Sequence, residues 1–331
     1  MDLQQRIKLL CRLGEYIKND GPAWQEVKQQ AYYENGWFTP EFLQHAASQI
    51  VEQFLNETLL VNWTQHYNIS EPAAPKNIGI VMAGNIPLVG FHDFLCVFIS
   101  GHQQTIKPSA KDAILLKHLV QRMYTEEIQT QNYIGFAPML KGCDAYIATG
   151  SNNAGRYFEQ YFSNYPHIIR KNRTSVALLT GEETSDELSL LADDIHIYFG
   201  LGCRNVTKVY VPENYNFEKL LNAFDPYLFF ADHHKYKNNY DYQLSIMLLN
   251  NQYYMTNGAT LLAENESIFS PISQLYYEFY NDAAVVEDFL KQNASVQCII
   301  GKQSLPFGEA QRPSLYNYAD GVDTMGFLSS L

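Results

Sequence analysis

Residues 195–212 read IHIYFGLGCRNVTKVYVP, and this stretch guides the interpretation of the whole chain. A helix is predicted over residues 184–199 and ends within it. A strand is predicted over residues 206–211 and follows it. The two glycines between them predict a turn, and that turn carries Cys203. A helix that leads through a short turn into a strand indicates an α/β fold.

This turn has the features of a reactive thiol site. Gly200 and Gly202 lack side chains, so the backbone can approach a ligand closely. A thiol reacts as its thiolate, which a nearby cation stabilises, and Arg204 directly follows Cys203. The alternative is a glycine helix stop followed by a half-buried cysteine. The turn alone leaves both interpretations open.

Length and composition limit the possible classes of protein. The 331 residues can form one large or two medium-sized cores, and 46% of them are hydrophobic, as in globular proteins. The net charge of −12 argues against electrostatic binding to nucleic acid or to an anionic membrane surface. The cysteines are odd in number and scattered, which argues against a disulfide framework or a structural zinc site. They are Cys11, Cys96, Cys143, Cys203 and Cys298.

No targeting or membrane-spanning segment is predicted. The first residues, MDLQQRIKLLCRLGEY, are charged and amphipathic, unlike a signal peptide. The longest apolar stretch, residues 86–100, contains His92 and Asp93 and is too short to span a bilayer. We therefore expect a cytoplasmic protein without a membrane span.

Residues 1–70 are predicted to be helical. Apolar residues recur at helical spacing near the start of the chain. They are Leu3, Ile7, Leu10, Leu13 and Ile17. A second helix is predicted to begin at Thr39-Pro40-Glu41, where an N-cap residue, a proline and an acid follow one another. Residues 71–75 read EPAAP, and this stiff segment predicts a boundary.

Strands and helices then alternate. The predicted strands are residues 78–82, 103–107 and 145–149, and the predicted helices are residues 87–100, 110–124 and 153–162. This order is typical of a parallel sheet with helices on its faces, whose ligands bind at the carboxyl ends of the strands. Three polar turns are expected there. They are residues 83–87, 107–109 and 149–155.

A second run of the same kind begins near Ser175. Its predicted strands are residues 176–179, 206–211, 259–263 and 296–300, and its predicted helices are residues 184–199 and 240–249. The predicted fold class is therefore α/β, with two Rossmann-like parallel-sheet domains and an N-terminal helical segment.

The three polar turns are candidates for binding. Residues 150–155, GSNNAG, open a helix, and the amides of a helix N-terminus suit a phosphate. Lys107 and Ser109 could hold a ribose hydroxyl or a phosphate. The side-chain amide of Asn85 could donate to a developing oxyanion. The alternative for each turn is an ordinary connection between a strand and a helix.

Two other kinds of site are not expected. Asp232-His233-His234 resembles a metal-binding group, but adjacent helical residues point in different directions and no third ligand is suitably spaced. We therefore expect no metal. The chain also lacks a GxSxG motif, which argues against a serine hydrolase.

Five short motifs follow one another in an informative order: AGNIP (83–87), KPS (107–109), TGS (149–151) with Gly155, GC (202–203) and PFG (306–308). In this order they resemble the aldehyde dehydrogenase superfamily. The resemblance is closer to its acyl-CoA reductase branch, the fatty-acid reductase family of bacterial luminescence. The stretches that carry the closer resemblance are NGWFT (35–39), GLGCRN (200–205), KYKNNYDY (235–242) and QRPSLYNYADGVD (311–323). Together the motifs extend over nearly the whole chain, and the resemblance implies an aldehyde-dehydrogenase-like fold.

The resemblance also implies roles for individual residues. Cys203 would be the nucleophile, and Asn85 would hold the oxyanion together with the backbone amide of Cys203. Phe307 would lie near the active-site cleft, where Arg204 is a further candidate for contact with the substrate.

The implied cofactor is NADPH. Lys107 and Ser109 would contact the adenosine ribose, and Gly150 and Ser151 would face the pyrophosphate. NAD-preferring relatives often carry a glutamate after the KPS motif, to bind both ribose hydroxyls. This chain has Ala110 and then Lys111, and a cation without a carboxylate should tolerate a 2′-phosphate.

Two further departures from the family pattern concern acidic residues. Glu266 matches the first glutamate of the family's Glu-Glu-Ile-Phe-Gly-Pro motif, while Ser267 replaces the second, which contacts the nicotinamide ribose. Aldehyde-oxidising relatives also carry a Glu-Leu-Gly-Gly-Lys stretch, whose glutamate activates the hydrolytic water. Residues 169–173 read IRKNR instead, with no acid between His167 and Ser175. A general base must lie within reach of its proton, so this loss favours a reductase.

The predicted domains are residues 1–175 (helices and an NADP(H)-binding domain), 176–305 (a catalytic thiol domain) and 306–331 (a segment returning to the active-site cleft). The predicted function is NADPH-dependent reduction of a long-chain acyl-CoA to the aldehyde through an acyl-enzyme on Cys203. The alternatives are an aldehyde dehydrogenase acting oxidatively and a non-catalytic or partner-dependent subunit. The predicted partners are an acyl-CoA or acyl-protein thioester, with a second copy of the chain or an acyl-donor subunit.

Overall fold

The computed structural model describes Met1–Leu331 and divides into two compact units. The first unit comprises Met1–Asn172 and Pro313–Leu331, and the second comprises Arg173–Arg312. The division falls three residues before the predicted boundary after residue 175. The predicted C-terminal segment, residues 306–331, is split: its first seven residues belong to the second unit and the remainder to the first.

The first unit begins with four helices, as the apolar periodicity predicts. They are α1 (Leu3–Asn19), α2 (Pro22–Glu34), α3 (Pro40–Phe54) and α4 (Glu57–His66). Asp2 caps α1 through a capping box with Gln5, and the predicted apolar face of α1 is buried from Ile7 to Ile17. Thr39 caps α3, which confirms the predicted start of that helix.

A five-stranded parallel sheet follows. Its strands are β1 (Asn77–Val81), β2 (Gln103–Lys107), β3 (Ile134–Phe136), β4 (Ala145–Thr149) and β5 (His167–Arg170). Their order is β3-β2-β1-β4-β5, so the chain runs outward from β1 on one side and then continues on the other side. This reversal creates a switch point between β1 and β4, where ligands of such sheets bind.

The helices of this sheet are α5 (Phe91–Ser100), α6 (Ile114–Glu126) and α7 (Asn152–Phe162). The prediction of a helix over residues 87–100 is wrong for its first turn, because α5 begins four residues later. Leu88 has a φ of 56°, outside the helical region, and its amide donates to Asp112 Oδ2 at 2.7 Å. A tertiary hydrogen bond therefore replaces the first turn of the predicted helix.

The boundary predicted at residues 71–75 is also wrong, because that segment lies inside the first unit. The fully buried Arg6 of α1 binds Glu71 at 2.9 Å.

At the other end of the chain, Tyr318 and α12 (Thr324–Ser329) pack in the core of the same unit. The indole of Trp63 donates to the hydroxyl of Tyr318 at 3.0 Å. These contacts hold the C-terminal segment to the first unit.

The second unit contains a six-stranded sheet. Its strands are β6 (Thr174–Leu178), β7 (Val206–Pro212), β8 (Met255–Thr256), β9 (Leu261–Glu264), β10 (Gln274–Tyr280) and β11 (Val296–Ile300). Their order is β11-β6-β7-β10-β9-β8, and the pairs are parallel except for β8 with β9. The helices of this unit are α8 (Ser185–His196), α9 (Phe217–Ala223), α10 (His234–Leu249) and α11 (Ala283–Gln292). The α/β fold class with two Rossmann-like sheets is thus confirmed.

None of the helices combines the length and the apolar character that crossing a membrane requires.

Candidate active site

The turn that carries Cys203 lies between α8 and β7. A short 3-10 helix, Ile197–Gly200, leads into it, and the side chain of Cys203 is half-buried. Tyr198 and Phe199 have φ values of 58° and 56°, and Gly200 has 73°. Bulky residues adopt this left-handed conformation only where surrounding contacts enforce it. The entrance to the Cys203 turn is therefore a strained segment.

Asn205 supplies many of the contacts at this turn. It is fully buried, and its Oδ1 accepts from the amide of Gly202 at 2.8 Å. Its Nδ2 donates to three backbone carbonyls at the end of α8, at 2.8–3.2 Å. Those carbonyls belong to Asp194, Ile195 and Ile197. Sequence reasoning missed this role, although an asparagine beside a glycine turn is a recognised turn signal.

Two further residues contact the turn. Ser175, at the start of the second sheet, donates its hydroxyl to the carbonyl of Cys203 at 3.1 Å. Arg204 extends towards β11, where its Nη1 lies 3.2 Å from the sulfur of Cys298. The positive charge that follows Cys203 in sequence is therefore placed beside a second half-buried thiol, which sequence reasoning did not single out.

The Pro-Phe-Gly turn is anchored to the same helix end. Asp194 accepts from the amides of Gly308 and Ala310 at 2.7 Å and 3.0 Å. Burial raises the pKa of Asp194 from 3.8 to about 7. Phe307 is only 8% exposed and packs in the core of the second unit. The last turn of α8 thus holds both the Cys203 turn and the Phe307 turn.

A cavity of about 30 Å³ adjoins Gly200. Buried His196 contributes to its lining and contacts the hydroxyl of Thr260 at 2.9 Å and the carbonyl of Ala192 at 2.8 Å. Burial lowers the pKa of His196 to about 4, so this ring is neutral near pH 7. The cavity has room for about one water molecule, far less than an acyl chain needs.

Glu266 lies on an exposed loop between β9 and β10. The loop is fixed by its backbone, because the fully buried Lys208 donates to the carbonyl of Glu266 at 2.9 Å. Lys208 also forms an ion pair with Glu278. The structure therefore explains the position of the Glu266 backbone, while its carboxylate faces outward.

In the first unit, the turns after β1 and β2 lie side by side. A Cβ built on Gly84 would lie 2.5 Å from the hydroxyl oxygen of Ser109, so only glycine fits there. That hydroxyl oxygen also accepts from the amide of Lys111 at 3.3 Å. Lys107 and Lys111 are both exposed. This edge of the sheet thus presents two cations around a half-buried hydroxyl group.

Asn85 is exposed on the turn after β1. The far end of that turn is held by the hydrogen bond from Leu88 to Asp112. Asp112 is 8% exposed, and its other oxygen, Oδ1, is buried without a hydrogen-bond partner. Burial raises the pKa of Asp112 from 3.8 to about 7. Asp112 is a second residue that sequence reasoning missed, although it follows the KPS motif closely.

In the turn after β4, two polar groups already form hydrogen bonds within the protein. The amide of Gly150 donates to the carbonyl of Arg170 at 3.2 Å, and the hydroxyl of Ser151 caps α7 by accepting from Ala154 at 3.3 Å. The remaining N-terminal amides of α7 retain the usual capacity of a helix start to bind an anion.

These features fit an anionic dinucleotide. The turns after β2, β1 and β4 lie on neighbouring strands at the carboxyl edge of the sheet, at the switch point. Phosphate and ribose groups suit this edge, where Gly84 packs closely against Ser109, Lys107 and Lys111 are exposed, and α7 begins. No group of three or more histidine, cysteine, aspartate or glutamate side chains could hold a metal ion. His233, which the sequence placed in a possible metal group, caps α10.

The predicted site residues thus form two groups, each within its own unit. The first unit holds Asn85, Lys107, Ser109, Lys111, Gly150 and Ser151. The second unit holds Cys203, Arg204, Glu266 and Phe307.

Comparisons with known proteins support the fold. No protein-family model matches the sequence, and no curated protein sequence matches it. Among solved structures, aldehyde dehydrogenase 21 from Physcomitrella patens, in complex with the reaction product succinate, is 12% identical with a TM-score of 0.67. The match covers 91% of this chain and 74% of that one.

Two bacterial structures agree. An NAD-dependent aldehyde dehydrogenase from Sinorhizobium meliloti is 12% identical, with a TM-score of 0.66 over 91% of this chain and 70% of that one. Betaine aldehyde dehydrogenase from Staphylococcus aureus is 11% identical, with a TM-score of 0.64 over 94% of this chain and 73% of that one. The chain therefore has the aldehyde-dehydrogenase-like fold.

Proposed function

We propose that this protein is a cytoplasmic NADPH-dependent reductase that converts a long-chain acyl-CoA to the aldehyde through a covalent acyl group on Cys203. The observation that carries the proposal is the Cys203 turn itself. A half-buried thiol lies on a strained turn that Asn205 and Ser175 hold in place. Strain maintained by dedicated contacts is characteristic of functional sites.

The first chemical step is acyl transfer to sulfur. The thiolate of Cys203 attacks the carbonyl carbon of the thioester, and the carbonyl oxygen becomes an oxyanion. Two amides are proposed as its donors: the backbone amide of Cys203 and the side chain of Asn85. When the tetrahedral adduct collapses, the carbon–sulfur bond to CoA breaks and CoA leaves as its thiolate.

The second step regenerates the enzyme. NADPH, when bound, supplies a hydride to the acyl carbon. The bond between that carbon and the sulfur of Cys203 then breaks, the aldehyde leaves, and Cys203 returns to the thiolate form. Ser109 and Lys107 would hold the adenosine ribose, Lys111 the 2′-phosphate and the start of α7, with Gly150 and Ser151, the pyrophosphate. Glu266 is the candidate for the nicotinamide ribose.

The surroundings of residues 169–173 support reduction over oxidation. Arg170 forms a buried ion pair with Asp93, and Lys171 binds Glu159 on α7 at 2.8 Å. This stretch contains no carboxylate, so it offers no base to activate water against an acyl-enzyme.

A second candidate function is aldehyde oxidation. It is favoured by the similarity in fold to proteins described as aldehyde dehydrogenases. A subunit that needs an acyl-donor partner or a second copy of the chain is a third arrangement, with an acyl-protein thioester as the donor. The two enzyme functions differ in whether the acyl-enzyme transfers its acyl group to water or receives a hydride.

The test uses the whole protein under anaerobic conditions, with a long-chain acyl-CoA added with and without NADPH. Intact mass and peptide mapping follow the acyl group, and absorbance follows NADPH. We expect an adduct on Cys203 that disappears as NADPH is consumed. Cys203→Ser should abolish both signals while retaining NADPH binding, whereas Cys298→Ser, the matched control, should retain the adduct. Asn85→Ala should slow acylation by about 10²–10³-fold.

Other outcomes separate the alternatives. An adduct that NADPH does not discharge would contradict the reductase and favour the partner-dependent subunit. Formation of NADPH from an aldehyde and NADP⁺, without reduction of acyl-CoA, would favour oxidation. Normal turnover by Cys203→Ser would overturn the assignment of the nucleophile.

A further inference from the structure

We infer that Asn205 and Ser175 are positioning residues that aim the backbone amide of Cys203 at the developing oxyanion. The inference rests on the proposed role of Cys203 in acyl transfer. It is independent of the acyl donor and of the cofactor. Two peptide groups flank the α-carbon of Cys203, and hydrogen bonds hold both of them.

The peptide between Gly202 and Cys203 is held by the backbone amide of Asn205, and the peptide before Gly202 is held by the side chain of Asn205. The backbone amide of Asn205 donates to the carbonyl of Gly202 at 3.1 Å, and Oδ1 of Asn205 accepts from the amide of Gly202 at 2.8 Å. In a trans peptide the C=O and N–H groups point in opposite directions. Since the carbonyl of Gly202 points into the turn, the amide of Cys203 must point away from it.

The peptide after Cys203 is fixed by Ser175. The hydroxyl of Ser175 donates to the carbonyl of Cys203 at 3.1 Å. Ser175 is itself fixed, because it is fully buried and its amide donates to the carbonyl of Asn205 at 3.1 Å. With both flanking peptides held, the directions of the Cys203 amide and of its Cα–Cβ bond are determined together.

The same asparagine stabilises the strained entrance to the turn. Left-handed backbone at Tyr198 and Phe199 would relax if nothing opposed it. Nδ2 of Asn205 donates to carbonyls on both sides of the end of α8, including that of Ile197, the residue before the strained pair. One buried side chain therefore joins the helix end, the strained segment and the thiol turn.

Two reactions of the same thiol test the inference. Acylation by p-nitrophenyl acetate passes through an oxyanion, whereas alkylation by iodoacetamide does not. We expect Asn205→Ala to slow the release of nitrophenolate by about 10- to 100-fold. Alkylation of Cys203, measured by peptide mapping, should change by less than about threefold. A general loosening of the fold would instead change both rates together.

Ser175→Ala provides a milder variant if Asn205→Ala does not fold. It removes one hydrogen bond, and we expect acylation to slow by about 2- to 10-fold with alkylation unchanged. Asn216→Ala is the matched control. It removes another side-chain acceptor of a backbone amide, at the other end of β7, and should change neither rate.

The outcomes separate this inference from the proposed function. Equal changes in both reactions of a folded variant, or no change in either, would overturn the inference. So would a wild-type protein whose Cys203 is not acylated by the ester. If the ester acylates Cys203 and the variants behave as expected, but acyl-CoA with NADPH gives no reaction, the inference holds and the proposed function fails.

Discussion

The two units anchor their candidate site turns with different chemistry. In the second unit, the buried amide of Asn205 holds the Cys203 turn, with partners for both its oxygen and its nitrogen. In the first unit, the buried carboxyl group of Asp112 holds the turn after β1, with a partner for one oxygen only. Both side chains stand next to turns that carry proposed catalytic residues.

Two similar anchors can therefore respond differently to pH. An amide does not titrate, and Asn205 satisfies its polar atoms locally. A buried carboxyl group with an unpartnered oxygen is less stable when ionised, which is why the pKa of Asp112 is raised to about 7. Asn205 should therefore contribute equally to stability across the neutral range, while the contribution of Asp112 to the free energy of unfolding should fall as pH rises.

The greatest loss of folding stability is expected on breaking a buried ion pair of the first unit. Arg170 pairs with Asp93 and donates to Thr324 of α12 at 2.8 Å. Arg170→Met leaves the carboxylate of Asp93 buried and unpaired, so we expect a loss of about 3–5 kcal/mol in the free energy of unfolding. Chemical denaturation measures this loss.

The neighbouring residue supplies the control. Lys171 forms an exposed pair with Glu159, and Lys171→Met should cost much less stability than Arg170→Met, because water screens the exposed pair. If the two variants lose equal stability, burial does not make the loss of the Arg170–Asp93 pair more costly than the loss of an exposed pair.

A smaller change in stability, which depends on pH, is expected on substituting Asp112. Its raised pKa means that the folded state binds a proton more tightly than the unfolded state. The stability from this group is present below about pH 4 and is lost as pH rises through about 7. Asp112→Asn keeps an acceptor for Leu88 and cannot ionise, so it should gain about 1–3 kcal/mol over wild type at pH 8. Unfolding curves between pH 4 and pH 8 measure the difference.

Asp194 provides a comparison with Asp112. Its pKa is also raised to about 7, but both of its oxygens accept hydrogen bonds from backbone amides. Asp194→Asn has only one acceptor for two amides and should lose stability at pH 8. A gain from both substitutions would show that the unpartnered oxygen of Asp112 is not the cause.

The last prediction concerns coenzyme preference and the exposed Lys111, where only a small change is expected. Lys111→Glu should lower the ratio of kcat/KM for NADPH to that for NADH by about 2- to 5-fold, because an exposed ion pair is screened by water. Lys141→Glu, at another exposed lysine of the same unit, should leave the ratio unchanged. A preference for NADH in the wild-type protein would contradict the assignment of Lys111.

Local patterns predicted part of the regular structure, but they missed the strands β3, β5 and β10 and placed the start of α10 six residues too late. The strands at residues 103–107, 145–149 and 296–300 have the predicted bounds, because β-strand signals and glycine turns lie close together in the sequence. The helix start at Thr39 was readable from its cap for the same reason. Two of the errors fall where distant residues intervene: a hydrogen bond to Asp112 replaces the first turn of the helix predicted over residues 87–100, and Arg6 holds the segment that was predicted to be a boundary.

The α/β class, the turn that carries Cys203 and the three turns at the edge of the first sheet could all be predicted from the sequence. Each of these depends on residues that are neighbours in the chain. The groups that hold those turns became visible only in the folded chain: Asn205 and Ser175 hold the Cys203 turn, and Asp112 holds the turn that carries Asn85. The contact between Arg204 and Cys298 likewise became visible only there. Hydrogen bonds between residues that are distant in the chain depend on how the elements pack, and the spacing of neighbouring residues does not specify those partners.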